Sequence, residues 1–240
     1  MKNEFVYEGH RTYRVRAVGV IAIVLVWLAA LAYLVNPVLA WTVSDGLWVG
    51  DLDRAVRAEE QIPAASLAVN AVQLLALAAT IVWLWRARKN VDAFPYTEVT
   101  LGPGWAIGGW FVPGANLYLP GRMVHNVTRE SVTAPWARRV AVFWWLTLVG
   151  STALDRIAFV VTLNPFIDER IEKSDAYLLA TRIEGAAAVL GLLAAAAFVP
   201  VVLRVCAAQE ARIRAGQGGV TGVTAAPDAP DAAGSATIGA

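Results

Sequence analysis

The chain has 240 residues, of which 58% are hydrophobic and only 16% are charged, and its mean hydropathy is +0.53. A water-soluble domain ordinarily carries about one quarter charged residues, so this composition predicts an integral membrane protein. The single cysteine, Cys206, excludes an intrachain disulfide, and together with two histidines it offers no zinc or iron–sulfur ligand set. With a formal net charge of +1, we expect no metal, no cofactor and no nucleic-acid partner.

Four long apolar runs predict four membrane-spanning helices, because about 20 apolar residues cross roughly 30 Å of hydrocarbon. The runs cover residues 17–35, 64–85, 140–163 and 186–203. The first is longer than the apolar part of a cleaved signal peptide, so it predicts an uncleaved anchor. The expected fold class is all-α, a four-helix integral membrane bundle within residues 1–214. The Gly-, Ala- and Pro-rich segment 215–240 is predicted to be a disordered tail.

The connections on one side of the bundle are predicted to be acidic loops at residues 38–63 and 165–184, with at most a short surface helix at 51–61. Asn36-Pro37 and Asn164-Pro165 are expected to end the first and third spans, since a residue before proline is disfavoured in a helix. Pro63 is expected in the first turn of the second span, where proline is tolerated.

Basic residues are distributed unevenly along the chain. Most of the Lys and Arg residues lie before the first span, between the second and third spans, and after the fourth. The positive-inside rule assigns these segments to the cytoplasm. We therefore expect a plasma-membrane protein with both termini and the long central connection inside the cell, and both acidic connections outside.

The central connection contains an aromatic, glycine-rich segment followed by a basic one, together residues 104–132. From Gly104 to Val112 there is room for about nine helical residues, or roughly 14 Å, half of what a crossing requires. Pro113 then breaks the helix. The sequence predicts a broken helix on the cytoplasmic side, either re-entrant or lying on the surface. Residues 120–132 predict an amphipathic basic helix suited to an anionic inner leaflet, with His125 solvated.

This segment carries a specific motif, G-W-A-I-G-G-W-F-V-P-x-x-N-L-x-x-P, from Gly104 to Pro120. Arg86-x-Arg88-x-Asn90 precedes it and Gln209-Glu210-Ala211-Arg212 follows the last span. With these residues the chain resembles a bacterial, actinobacterial-type family of integral membrane proteins defined as a domain of unknown function. The resemblance implies a shared architecture and supplies no reaction, substrate or cofactor. At His125-Asn126-Val127-Thr128 the chain departs from the acidic residue and tryptophan of the family pattern. The candidate motif residues are Trp105, Gly108, Gly109, Trp110, Phe111, Pro113, Asn116 and Pro120.

Polar residues also occur within two of the predicted spans. Ser66, Asn70, Gln73 and Thr80 share one face of the second span, which suits either interhelical hydrogen bonds or a pathway for a polar solute. In the third span, Asp155 is expected either to face the bundle near Asn70 or Gln73, or to lie at a helix end. Arg156 is expected to reach the outer headgroups rather than pair with Asp155, since adjacent helical residues do not face each other.

These observations leave three classes of function open. The leading hypothesis is a non-enzymatic scaffold, interaction or regulatory protein whose motif docks on the bilayer, on a partner protein or on a second copy. The alternative is a small transporter or channel that uses the polar line of Asn70, Gln73 and Asp155. A lipid-modifying enzyme would have only His125, Glu130 and Asp155 available, and the predicted topology divides these between the two sides. We therefore assign no catalytic residues.

Overall fold

The computed structural model describes residues 6–163 and 170–222, and within them the chain is almost entirely helical. A short antiparallel hairpin, β1 (Val6–Tyr7) and β2 (His10–Arg11), comes first. The helices are α1 (Arg16–Ala32), α2 (Val35–Val49), α3 (Leu52–Ala93), α4 (Trp105–Gly108), α5 (Leu119–Ser131), α6 (Pro135–Thr162) and α7 (Arg170–Gly222). A single 3₁₀ turn, Ala115–Leu117, lies between α4 and α5. The all-α class expected from composition is confirmed.

Four helical segments are long and apolar enough to cross a membrane: Arg16–Val49, Leu52–Ala93, Pro135–Thr162 and Glu172–Gln217. Three of them contain a predicted span entirely, and Pro135–Thr162 contains the third span except for its last residue, 163. Helix α7 packs along α6, α2 and α1, while α3 packs against α1 and α2. The large apolar side chains on the outward faces are exposed, as expected where lipid rather than protein would cover a helix. They include Ile21, Leu28, Leu67, Leu74, Phe143, Leu146 and Val160.

The two acidic connections were predicted to be loops, and this prediction is wrong for their described residues. Asn36 and Pro37 lie in the first turn of α2, where proline is tolerated, so they begin a helix rather than end one. Pro63 lies inside the continuous helix α3 rather than in its first turn. Helix α7 already starts at Arg170. Asn164-Pro165 falls outside the described residues, although α6 ends close by at Thr162.

A separate small core explains why these acidic segments are helical. Ala40, Val43 and Leu47 of α2 recur at helical spacing and are buried against the first turns of α3 and against Tyr177 of α7. We call this three-helix region, formed by α2, by α3 before residue 64 and by α7 before residue 186, the distal extension. Burial of its apolar stripe supplies the tertiary packing from which helices in proteins gain most of their stability. Gly50, with φ of 81°, provides the left-handed residue that reverses the chain between α2 and α3.

Polar contacts also hold the distal extension together, a buried pair of serines and two partly exposed ion pairs. Ser44 and Ser174 donate their hydroxyls to each other's backbone carbonyls, at 2.9 and 3.0 Å. Arg54 pairs with Asp45 at 2.7 Å, and Lys173 pairs with Glu59 at 2.8 Å. Asp45 and Glu59, which the sequence assigned to a loop, therefore form ion pairs between neighbouring helices.

The main core lies at the opposite end of the bundle and includes α5. Trp83, Leu84, Phe198, Val201 and Val202 are fully or almost fully buried there, together with Met123, Val124 and Val127 of α5. The apolar face of α5 is thus packed against the protein, whereas the sequence predicted a helix with this face free for the membrane surface. Helix α7 continues past residue 214 to Gly222, so its described end extends into the segment predicted to be disordered. Residues 223–240 lie outside the described residues.

Candidate functional site

The family motif forms a compact series of turns rather than a nine-residue half-helix. Helix α4 covers only four residues, Trp105–Gly108. Turns closed by hydrogen bonds between residues three apart follow it. The Trp110 amide donates to the Ile107 carbonyl at 3.2 Å, and the Phe111 amide donates to the Gly108 carbonyl at 3.1 Å. Pro113 supplies no amide hydrogen, and Gly114 adopts a φ of +78°, which is strained for any residue with a side chain. The chain therefore turns back before it could approach a membrane crossing.

The two central glycines of the motif lie in different surroundings. A Cβ on Gly109 would lie 2.7 Å from the Trp105 carbonyl oxygen and 3.1 Å from the Leu119 Cβ. Gly109 is therefore needed for the close approach of α4 to the start of α5. A Cβ on Gly108 would have nothing within 4 Å. Nothing in the packing of the described residues explains glycine at Gly108.

Trp145 of α6 connects the motif to the helical bundle through a hydrogen bond and a ring contact. Its Nε1 donates to the Leu117 carbonyl at 3.1 Å, and its ring meets that of Trp110 edge to face, with centroids 5.7 Å apart. The same ring covers Gly121 so closely that a Cβ there would overlap the indole. Pro120, at the first turn of α5, is also buried. The motif residues Trp110 and Pro120 thus face the protein, while Trp105 and Phe111 are exposed.

The residues that flank the motif in sequence form a buried polar network behind it. Asn90 of α3 accepts from the Tyr13 amide at 2.7 Å and donates to the Tyr13 carbonyl at 2.9 Å and to the Gln209 Oε1 at 3.0 Å. Gln209 in turn donates to the Ala87 carbonyl at 3.0 Å and to the Ser131 Oγ at 2.9 Å. This network ties together the N-terminal segment, α3, α5 and α7. Sequence alone could not reveal it, since Asn90 and Gln209 are distant in the chain.

Arg88 connects the same end of α3 to the segment that leads into the motif. Its side chain is buried, its Nε donates to the Leu101 carbonyl at 3.0 Å, and its guanidinium pairs with Asp92. A buried guanidinium needs such partners because its desolvation is expensive. Arg88 therefore fixes residues 99–103, from which the motif starts.

A cavity of about 520 Å³ lies beside the motif. Helices α3 and α6 do not pack closely against each other over their described lengths, and the cavity occupies the space between them. Its walls come from α1, α3 and α6, its floor comes from α7, and the motif closes one end. The lining includes Val26 and Ala30 of α1 with Tyr33 at its C-terminal end, Gln73 and Leu77 of α3, Trp110 and Asn116 of the motif, and Trp144, Leu148, Asp155 and Arg156 of α6.

The end of the cavity away from the motif is polar. The Tyr33 hydroxyl donates to the Asp155 Oδ1 at 2.9 Å. The Arg156 Nε lies 3.8 Å from the Asp155 Oδ2, so these neighbours form a long ion pair, contrary to the prediction that they would not pair. The Arg156 side chain is nevertheless 71% exposed. Gln73 lines the cavity opposite Asp155, whereas Asn70 is exposed outside it.

Two buried polar atoms near the cavity have no hydrogen-bond partner among the described residues. One is the Nε1 of Trp110, a residue whose indole lines the cavity although the Nε1 itself is covered. The other is the Oε2 of Glu184, whose carboxylate lies close enough to Asp155 and Tyr33 to interact with both electrostatically. Sequence reasoning missed Tyr33 and Glu184, because one ends an apolar run and the other was assigned to a loop.

A family model for a domain of unknown function, DUF4328, matches residues 49–207, more than half of the chain. The chain belongs to this family. No curated protein and no solved structure shows a significant match. The DUF4328 region contains Arg88, Asn90 and the whole motif, while Gln209 lies just beyond it. Helix α1 and Tyr33, which directly follows it, precede the DUF4328 region, so the cavity combines residues from inside and outside the match.

Proposed function

We propose that this protein is a non-enzymatic, multi-pass membrane protein that binds a small amphiphilic molecule in the cavity beside the family motif, and that it serves as an interaction or regulatory protein. The cavity is the observation that carries the proposal. Its volume of about 520 Å³ falls within the roughly 300–1,000 Å³ of small-molecule sites. The lining residues of α6 from Trp144 to Arg156 extend over roughly 18 Å of helix, which suits an elongated ligand.

The distribution of polarity along the cavity supports an amphiphile. The middle is lined by apolar side chains such as Val26, Leu77 and Leu148, and polar groups lie towards both ends. At the motif end, Trp110 presents a buried indole N–H that has no acceptor among the described residues. Leaving such a donor unsatisfied costs about 1–3 kcal/mol. A small rotation of the indole that brought this N–H to an oxygen atom of a bound molecule would offset that cost.

Blocking the cavity tests the proposal. In lipid nanodiscs, a chain-length series of diazirine-bearing fatty probes is expected to label α6 peptides that contain residues 144–156. Ala30→Phe places a ring in the cavity and is expected to reduce this labelling strongly, because Ala30 lies on its wall. Ala78→Phe is the matched control, since Ala78 is exposed on α3 and does not line the cavity. Mass spectrometry of labelled peptides provides the measurement, and equal labelling of both variants would count against the proposal.

A second candidate, a small transporter, is favoured by one specific observation. Gln73 of α3 and Asp155 of α6 line the same cavity, so two helices present polar side chains to one space. Transport would require a route past the motif, where Trp110, Leu117 and Trp145 close the cavity. Uptake of a probe amphiphile by proteoliposomes, compared with its binding alone, separates the two functions.

We further propose that the protein lies in the plasma membrane of a bacterium, with its termini and motif in the cytoplasm. Basic residues cluster near the motif end of the long helices, among them Arg16, Arg86, Arg139 and Arg204, which supports this orientation. Cys206 is the only cysteine and is buried, so a Cys206→Ser background permits single-cysteine mapping. An impermeant maleimide is expected to label Glu60→Cys in intact cells and Gly102→Cys only after permeabilisation. The reverse pattern would overturn the orientation.

The same labelling tests a proposed contact with anionic inner-leaflet lipids. Phe111 is 66% exposed and Leu117 is 62% exposed on the outer surface of the motif. The Arg122 guanidinium lies over the exposed Tyr118 ring, 5.7 Å from its centroid. Aromatic and basic side chains in this combination suit the headgroup zone. Tyr118→Cys is expected to react more slowly than Gly102→Cys in permeabilised cells, and equal rates would indicate that water or a mobile protein partner, rather than lipid, covers this surface.

A further inference from the structure

The polar end of the cavity has more acceptor oxygens than donors. One oxygen of Asp155 accepts from Tyr33. The other lies 3.8 Å from the Arg156 Nε, which is too long for a hydrogen bond. Arg156 is the one basic side chain of the described residues within ion-pair distance of Asp155, and most of it is exposed. A carboxylate on the cavity wall is therefore left with an acceptor oxygen available to a ligand.

Glu184 adds to this imbalance. Its Oε2 is buried and has no donor among the described residues, and its carboxylate repels that of Asp155. Buried carboxylate oxygens are ordinarily hydrogen-bonded or paired with a cation. The Asp155 carboxylate lines the cavity, Glu184 adds acceptor oxygens behind it, and the nearby Arg156 is largely exposed, so this end of a mainly apolar cavity is electronegative.

We propose that the cavity selects a single-chain amphiphile with a positively charged, hydrogen-bond-donating head, of the primary alkylamine class. This rests on the proposed function, since it names the chemistry of the molecule that the cavity binds. The ammonium group binds the Asp155 Oδ2, which accepts no hydrogen bond within the described residues, and the chain extends past Leu148 towards Trp144. A carboxylate head would instead meet the like charge of Asp155, and a hydroxyl head would leave that charge unneutralised.

The depth of Asp155 fits this assignment. It lies in the last turns of α6, which ends at Thr162, and seven residues of helix correspond to roughly 11 Å. The head of the ligand would therefore lie towards the membrane surface, as amphiphile heads do, with the chain directed into the bundle. The arrangement requires no movement of the Tyr33–Asp155 hydrogen bond.

Three diazirine probes with the same chain and an amine, hydroxyl or carboxylate head test this selection in zwitterionic lipid nanodiscs. With the unaltered protein, the amine is expected to label residues 144–156 at a concentration at least roughly tenfold lower than the other two, as for a hydrogen bond to a charged group. Probe concentration is measured per lipid, so that different partitioning into the bilayer does not affect the comparison.

Asp155→Asn is expected to abolish the preference for the amine while leaving labelling by the hydroxyl probe unchanged. Glu60→Gln is the matched control because Glu60 is an exposed acid outside the cavity. Equal labelling by all three heads in the unaltered protein would overturn the amine selection and leave amphiphile binding intact. Labelling that is absent, or insensitive to Ala30→Phe, would overturn both. The head-group series on the unaltered protein decides the matter even if Asp155→Asn does not fold.

Discussion

Gly121→Ala is expected to destabilise the protein by about 1–3 kcal/mol, the range for overpacking a close-packed site. The added Cβ would overlap the Trp145 indole, with the ring Cδ2 only 2.7 Å away. The ring cannot shift freely, because its Nε1 donates a hydrogen bond to the Leu117 carbonyl and because the ring also contacts the rings of Trp110 and Trp144. Helix α5 would have to move away from α6, and this movement would also displace the motif that closes one end of the cavity.

Buried Cys206 offers a direct measurement of this effect. The chain has no other cysteine, so a fluorogenic maleimide reacts as the bundle unfolds on heating. Gly108→Ala is the control within the same motif, because a Cβ there has nothing within 4 Å. Trp145→Leu should make room for the methyl group, so the double variant is expected to lose less stability than the sum of the single changes. Unchanged unfolding of Gly121→Ala would show that α5 and α6 are packed more loosely than the structure indicates.

Gln209→Leu is expected to be at least as damaging, at about 2–3 kcal/mol for three lost hydrogen bonds and the groups left unpaired. Gln209 is fully buried, and its amide joins Asn90, the Ala87 carbonyl and Ser131. Leucine fills a similar volume but satisfies none of these groups. The same maleimide assay measures the loss of stability.

A second glutamine on α7 serves as the control for Gln209, because it lies on the same helix but outside the buried network. Gln217 lies on the same helix and is exposed, so Gln217→Leu should change stability by less than about 0.5 kcal/mol. Because Asn90 also holds the backbone of Tyr13, loss of Gln209 should speed amide hydrogen exchange in the N-terminal segment around Tyr13. If exchange there were unchanged, Asn90 would hold this segment without help from Gln209.

The sequence predicted the four long apolar helices because their signal is local. Four apolar runs long enough to cross a membrane correspond to four long helices, whatever their neighbours. The distal extension was missed because its helices depend on tertiary packing. Ala40, Val43 and Leu47 do recur at helical spacing, but Asn36-Pro37 and the surrounding acids suggested a loop. Their burial against α3 and α7, which the sequence does not reveal, stabilises this segment as a helix.

The candidate site could be predicted only in part. The motif was evident from its composition and from family resemblance, and Gln73 and Asp155 stood out as polar residues in apolar runs. The partners of these residues come from elsewhere in the chain. Tyr33 reaches Asp155 across 122 positions, and Trp145 reaches the Leu117 carbonyl across 28. No sequence period encodes such pairs, since they arise from how separate helices pack.

The length of α3 has a mechanical consequence. Its 42 residues extend roughly 63 Å, about twice the hydrocarbon thickness of a bilayer. One end begins beside the Asp45–Arg54 ion pair of the distal extension, and the other carries Asn90 of the buried network. A tilt of this rod within the membrane would displace its two ends in opposite directions. Helix α3 is therefore a single rigid element through which movement of the distal extension would be transmitted to the buried network.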